Sequence, residues 1–116
     1  MPGKFEIKVA KDGQFFFRLK AGNGQNILAS ELYVAKASAL NGIESVKKNS
    51  VLDERYEKKV STNNKPFFVL KAGNHEVIGK SEMYESETAR DNGIASVKTN
   101  APEAEVDDQT AAAAGA

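Results

Sequence analysis

Phe5, Ile7 and Val9 alternate with Glu6 and Lys8, the period-two pattern of a half-buried strand. Asp12-Gly13 follows as a hairpin signal. Phe15, Phe17 and Leu19 then alternate with Phe16, Arg18 and Lys20, which predicts a second strand. Gly22-Asn23-Gly24 supplies residues that tolerate positive φ, so the chain turns again, and Asn26–Ala29 reads as a short third strand. The period then changes. Ala39, Gly42, Ile43 and Val46 recur at helical spacing and predict a helix over 35–48.

The same order then repeats. Leu19-Lys20-Ala21-Gly22-Asn23 returns as Leu70-Lys71-Ala72-Gly73-Asn74, and Asn41-Gly42-Ile43 as Asn92-Gly93-Ile94, at a constant offset (70 − 19 = 51) with no gap. Between 5–50 and 56–101 roughly 20 of about 46 aligned pairs are identical, far beyond chance. Asn63-Asn64 replaces Asp12-Gly13 at the first turn. Ser86 is placed to cap a second helix running to about Thr99, with Ala89, Gly93, Ile94 and Val97 on its apolar face.

The joint between the copies is short. One helix ends near Asn49 and the next strand begins near Tyr56, too close for a linker plus a separate strand. The segment Asp53–Val60 is therefore expected to serve twice, closing the first copy and opening the second. The matching segment of the second copy is Ala104–Asp108, after Asn100-Ala101-Pro102. The expectation is one domain over 1–108, with repeat one at 4–55 and repeat two at 55–108. The polar, alanine-rich stretch 109–116 reads as a disordered tail.

Composition narrows the function classes. Each copy of about 50 residues is marginal alone, so the two must share a core. With no cysteine there is no disulfide, thiolate metal site or cysteine nucleophile. The 16 basic residues balance 16 acidic ones, which argues against a DNA-coating protein. No apolar run is long enough for a signal peptide or membrane span, so the expectation is a cytoplasmic protein, monomeric through its internal pseudo-dimer.

The string Phe15–Gly24, then Ser30-Glu31-Leu32-Tyr33, then Asn41–Lys47 resembles the YegP-like family of small bacterial domains with no assigned activity. The second copy carries the same marks at 67–74, Ser81-Glu82-Met83-Tyr84 and 92–98, and the match runs from Lys4 to Asp108. The resemblance implies the tandem form, in which two β-β-β-α-β units build one sheet and exchange their last strands, whereas single-unit members pair as homodimers. It supplies no catalytic residues. Pro66 in place of Phe15 and His75 in place of Gly24 are small departures. The fold expected is α+β: one antiparallel sheet, two helices on one face and pseudo-twofold symmetry.

Candidate chemistry is sparse. The 21–24 turn leads into a strand and lacks a lysine–serine ending, so it is a hairpin rather than a phosphate loop. His75 is the single histidine and has no partner at metal-ligand spacing. Ser30/Tyr33 and Ser81/Tyr84 are a third candidate, a symmetric pair of small-ligand pockets. No histidine accompanies either serine, so no nucleophile is activated there. The sharpest hint is the outward set Phe16, Arg18, Lys20, Phe67 and Lys71, phenylalanines beside cations on a sheet face. Cross-strand pairing for the sheet's own stability accounts for such a face without any ligand, and a protein or peptide partner is the first functional expectation for it. Single-stranded nucleic acid is the alternative, because base stacking and phosphate contacts use this combination. The reading is a non-enzymatic binding module with no cofactor, no metal and no membrane partner.

Overall fold

The computed structural model describes residues 3–110. The elements are β1 (Lys4–Val9), β2 (Phe15–Lys20), β3 (Asn26–Ala29), α1 (Lys36–Asn49), β4 (Tyr56–Val60), β5 (Pro66–Lys71), β6 (Val77–Lys80), α2 (Glu87–Asn100) and β7 (Glu105–Asp108). The seven strands form one sheet in the order β4-β5-β6-β3-β2-β1-β7. The halves meet at β3 and β6, through the pair Ala29↔Lys80. Every neighbour is antiparallel except β1 and β7, which run parallel.

The strand alternation sends Phe5, Ile7, Phe17, Leu19, Phe68 and Leu70 to one face, all fully buried. Ile43, Val46, Ile94 and Val97 cover them from the helices. Helix α1 packs across β2, β5 and β6, while α2 reaches β5 and β3, so each helix crosses the pseudo-twofold. No half has a core of its own. No helix among the described residues is long and apolar enough to cross a membrane.

Both predicted helices form within a residue or two of their expected bounds. The Ser86 hydroxyl accepts from the Ala89 amide at 3.1 Å, as a cap should. α1 begins after Ala35 without a side-chain cap. One helical position differs from expectation. Ala89 is only partly covered, and Arg90 takes the buried place that Ala39 holds in α1. Its long stem is buried while the guanidinium reaches Asp91 (3.2 Å) and Glu87 (3.6 Å).

The expected double use of Asp53–Val60 is only half met: its second half forms β4, which pairs with β5 alone, while its first half forms no closing strand, so the strand exchange runs one way. Asp53–Arg55 is a single 3-10 turn and the chain enters β4 at once. Arg55 Nε donates to Asn49 Oδ1 (3.0 Å) and the Tyr56 hydroxyl to the Ser50 carbonyl (2.7 Å), which folds the joint tightly. The closing segment of repeat one thus becomes β4 of repeat two. The closing segment of repeat two, β7, crosses to lie on β1. Gln109 and Thr110, expected to begin a tail, extend that attachment. The Gln109 amide donates to the Ile7 carbonyl (3.0 Å), its side chain donates to Glu6 (3.1 Å), and Thr110 is buried. The rest of the expected tail, 111–116, lies outside the described residues.

Candidate ligand-binding face and the edge of the sheet

Opposite the helices no other element among the described residues covers the sheet. The register places Lys4, Glu6 and Lys8 of β1 there, with Phe16, Arg18 and Lys20 of β2. Phe67, Val69 and Lys71 of β5 share that face with Glu57 and Lys59 of β4, Lys80 of β6, and Glu105 and Asp107 of β7. Seven cations stand there against these four carboxylates, and Glu31 and Glu82 line the hollows beside Lys80 and Arg18.

All five residues expected at this face stand on it, in different surroundings. Lys20 lies 3.2 Å from Glu6, and Lys71 lies 2.8 Å from Glu57. Glu6 is 4 % exposed and also draws Lys4 and Lys8 to 4.0 and 3.8 Å. Lys71, as a hydrogen-bond donor, holds the exposed Glu57 carboxyl below its ordinary range. The Arg18 guanidinium sits 5.3 Å from the centroid of the Phe16 ring. Phe67 is 9 % exposed, with Lys80 at 5.2 Å from its centroid.

Lys80 and the two glutamates were not singled out in the sequence. One transverse row reads Glu6, Arg18, Ala29, Lys80, Val69, Glu57. Where repeat one has Arg18 beside Ala29, repeat two has Val69 beside Lys80, so the cation has moved one strand across. The aromatic–cation pair survives although its residues are not equivalent. Among the described residues Arg18 and Lys80 form no ion pair.

In place of the expected symmetric pair of pockets, the serine and the tyrosine of each repeat engage different partners. Ser30 Oγ accepts from the Phe17 amide (2.9 Å) and donates to the Glu31 carbonyl (2.8 Å). Ser81 repeats this with Phe68 (3.0 Å) and Glu82 (2.8 Å). Tyr33 stacks on Phe17 and Tyr84 on Phe68, each at 6.3 Å. Burial pushes both phenols above their usual range. The hollow of about 240 Å³ that both serines line contains no tyrosine. His75 is an exposed turn residue in the left-handed region (φ 71°), where repeat one has Gly24 (φ 86°).

A larger cavity lies elsewhere, at the free edge of β4. It measures about 600 Å³ between β4 and α2 and is lined by Tyr56, Lys58, Asp91, Ile94 and Lys98 among others. Lys58 lies 3.2 Å from Asp91, and Lys98 pairs with Asp53. Lys58, then Arg90, keeps the Asp91 carboxyl below its ordinary range.

The fold is thus that of a tandem α+β protein whose final strand closes the opposite repeat. The family described as "Domain of unknown function (DUF1508)" matches twice, at 10–57 and 61–108, and the chain belongs to it. The offset is again 51 (61 − 10), and the first match ends inside β4. A UPF0339 protein of Acinetobacter baylyi is 62 % identical over 110 residues, covering 95 % of this chain and 99 % of that one. UPF0339 protein YegP of Escherichia coli K12 is 54 % identical, covering 95 % and 100 %. Two solution NMR structures superpose with a TM-score of 0.90. One is a UPF0339 protein from Shewanella oneidensis (52 % identity, 96 % of this chain and 94 % of that one). The other is Escherichia coli yegP, described as a protein of unknown function (54 % identity, 95 % of each).

Proposed function

We propose that this protein is a non-enzymatic binding module that holds an acidic polypeptide on the helix-free face of its sheet. The observation that carries the reading is the pair Arg18 and Lys80, two cations without ion-pair partners among the described residues, side by side at the middle of that face. Paired lysines such as Lys20 and Lys71 add little attraction of their own, because a glutamate already neutralises each. The serine hydroxyls support the non-enzymatic part, since each is engaged with two backbone groups. The cysteine-free composition and the internally paired sheet fit a cytoplasmic monomer.

A second reading, single-stranded nucleic acid, is favoured by the guanidinium beside Phe16, a combination on which bases stack. Against it, Phe67 is covered and offers no open ring. Affinity capture with the native chain and with the double variant Arg18→Glu, Lys80→Glu tests both. Acidic proteins retained by the native bait and lost from the variant are the expected result. Salt-sensitive binding of a single-stranded oligonucleotide, lost in the same variant, would replace the first reading with the second. Equal retention by both baits would remove the face from consideration. A turnover that vanishes on Ser30→Ala or Ser81→Ala would overturn the non-enzymatic part.

A further inference from the structure

A single ladder pair, Ala29↔Lys80, joins the halves of the sheet, and the seam opens on either side of it into two hollows. They measure about 240 and 260 Å³, and the offset of 51 relates them. Ser30 and Glu31 of the first stand for Ser81 and Glu82 of the second, and Val77 and Gly79 of the first stand for Asn26 and Leu28 of the second. The duplicated chain thus holds one hollow twice, lined differently. The second gathers Arg18, Asn26 and Lys80 with Glu82. In repeat two the equivalents of Arg18 and Asn26 are Val69 and Val77, so polar groups have been concentrated in one copy of the hollow.

Asn26 pairs with Lys20 in the ladder, which puts it on the helix-free face with Arg18 and Lys80. Its Oδ1 is buried and has no hydrogen-bond partner among the described residues. An acceptor buried without a donor costs stability. Valine at the equivalent strand position shows that the fold does not need an amide there. Arg18 and Lys80 form no ion pair among the described residues. Two unpaired cations and an unmatched acceptor around one hollow call for a ligand that brings an anion and a donor together.

We infer, resting on the acidic-polypeptide reading, that this hollow receives the C-terminal residue of the bound chain, its carboxylate on Arg18 and Lys80 and its N–H on Asn26. At about 260 Å³ the hollow is smaller than the roughly 300–1,000 Å³ that encloses a whole small molecule, and suits one residue of a longer chain. A C-terminal residue carries its N–H and its carboxylate on the same carbon, which sets donor and anion side by side. Capture of a terminal carboxylate is a recurring mode of peptide recognition. Glu82 in the wall limits the charge of the ligand. Two cations against one carboxylate leave one positive charge, which matches a single carboxylate and works against a polyanion. The pair Ala29↔Lys80 closes the hollow on the side of the seam, where an entering chain has to end.

The probes are acetyl-Gly-Glu-Gly-Glu-Gly-Ala with a free C-terminal carboxylate and the same peptide ending in a carboxamide, titrated into the intact protein and followed by amide shifts. Saturable shifts at 26–29 and 80–82 are expected with the free acid, and binding about five-fold or more weaker with the carboxamide. Arg18→Val and Asn26→Val each install the residue of repeat two. Each should weaken the free acid by about five-fold, and Asn26→Val should do so with the urea midpoint unchanged or raised. Equal binding of the two peptides would overturn the inference and leave the acidic-polypeptide reading standing on internal carboxylates. An affinity unchanged by Asn26→Val would overturn it too, since simple attraction to the cations would survive that change. So would shifts centred on Glu31 and 77–79, or no saturation by either peptide at about 10 mM, in which case the capture experiment alone decides the wider reading.

Discussion

Gly42 and Gly93 sit in the middle of the buried faces of α1 and α2, where alanine would raise helix propensity by up to about 1 kcal/mol. Neither position has room for it. A Cβ on Gly93 would press on the Tyr84 hydroxyl, and one on Gly42 would press on Tyr33 and Phe17. The tyrosine cannot swing aside freely, because Tyr84 lies nearly parallel to Phe68, 8° off, as Tyr33 does to Phe17, 10° off. Gly93→Ala is therefore expected to cost about 1–3 kcal/mol net, read from urea unfolding. In a Tyr84→Phe background, where the oxygen is gone, the same change should cost less. An equal cost in both backgrounds would show that the glycine matters for another reason. The retained tyrosines, attractive in the sequence as pocket residues, are thus explained by the retained glycines beneath them.

At the level of elements, β7 is a four-residue edge strand that pairs with β1 alone, and side chains at the surface reinforce that pairing. Lys36, then Thr110, hold the Asp108 carboxyl down to about 2. Gln109, then Lys4, lower that of Asp107. A carboxyl whose folded pKa is depressed contributes stability above its unfolded value, about 4, and loses it as pH falls through the folded value. Attachment of β7 should accordingly weaken from about pH 4 down to about pH 2. Amide exchange at Gln109, which donates to Ile7, should quicken across that window while the β2 core stays protected. Asp108→Asn should remove most of the dependence. A Gln109 amide that keeps its protection to pH 2 would show that backbone pairing alone holds the strand.

The same strand shows where sequence reading reaches its limit. Phe15–Lys20 declares β2 by its own alternation, and Ser86 declares the start of α2 by its cap. Glu105–Asp108 declares nothing by itself, because its partner Lys4–Ile7 lies at the other end of the chain. Only the repeat made an extra closing strand expected at 104–108. Lys80 escaped notice for a related reason. Its place beside Arg18 depends on the pair Ala29↔Lys80 across the pseudo-twofold, a register that no local pattern encodes. Arg90 escaped because a helical wheel marks charge as exposed, whereas a long aliphatic stem can be buried with only its tip reaching carboxylates.

For the whole molecule, the helices and β7 all cross between halves, so neither half retains its core when separated. Fragments made by cutting at Asp53 should be unfolded alone, or should fold only by associating. Size-exclusion chromatography with circular dichroism distinguishes these outcomes from two stable folded monomers, which would refute the shared core. Mixing the two fragments should restore the spectrum of the intact chain.

The gapless joint has a consequence for direction. Two matched halves would ordinarily make a molecule whose ends are interchangeable. Here one copy gives up its closing segment to become β4, so two equivalent seats are served by a single spare strand. Among the described residues the sheet ends on one side in an acidic strand already in place, and on the other in the unpaired edge of β4. An internally duplicated chain has thereby become polar, with a head distinguishable from a tail.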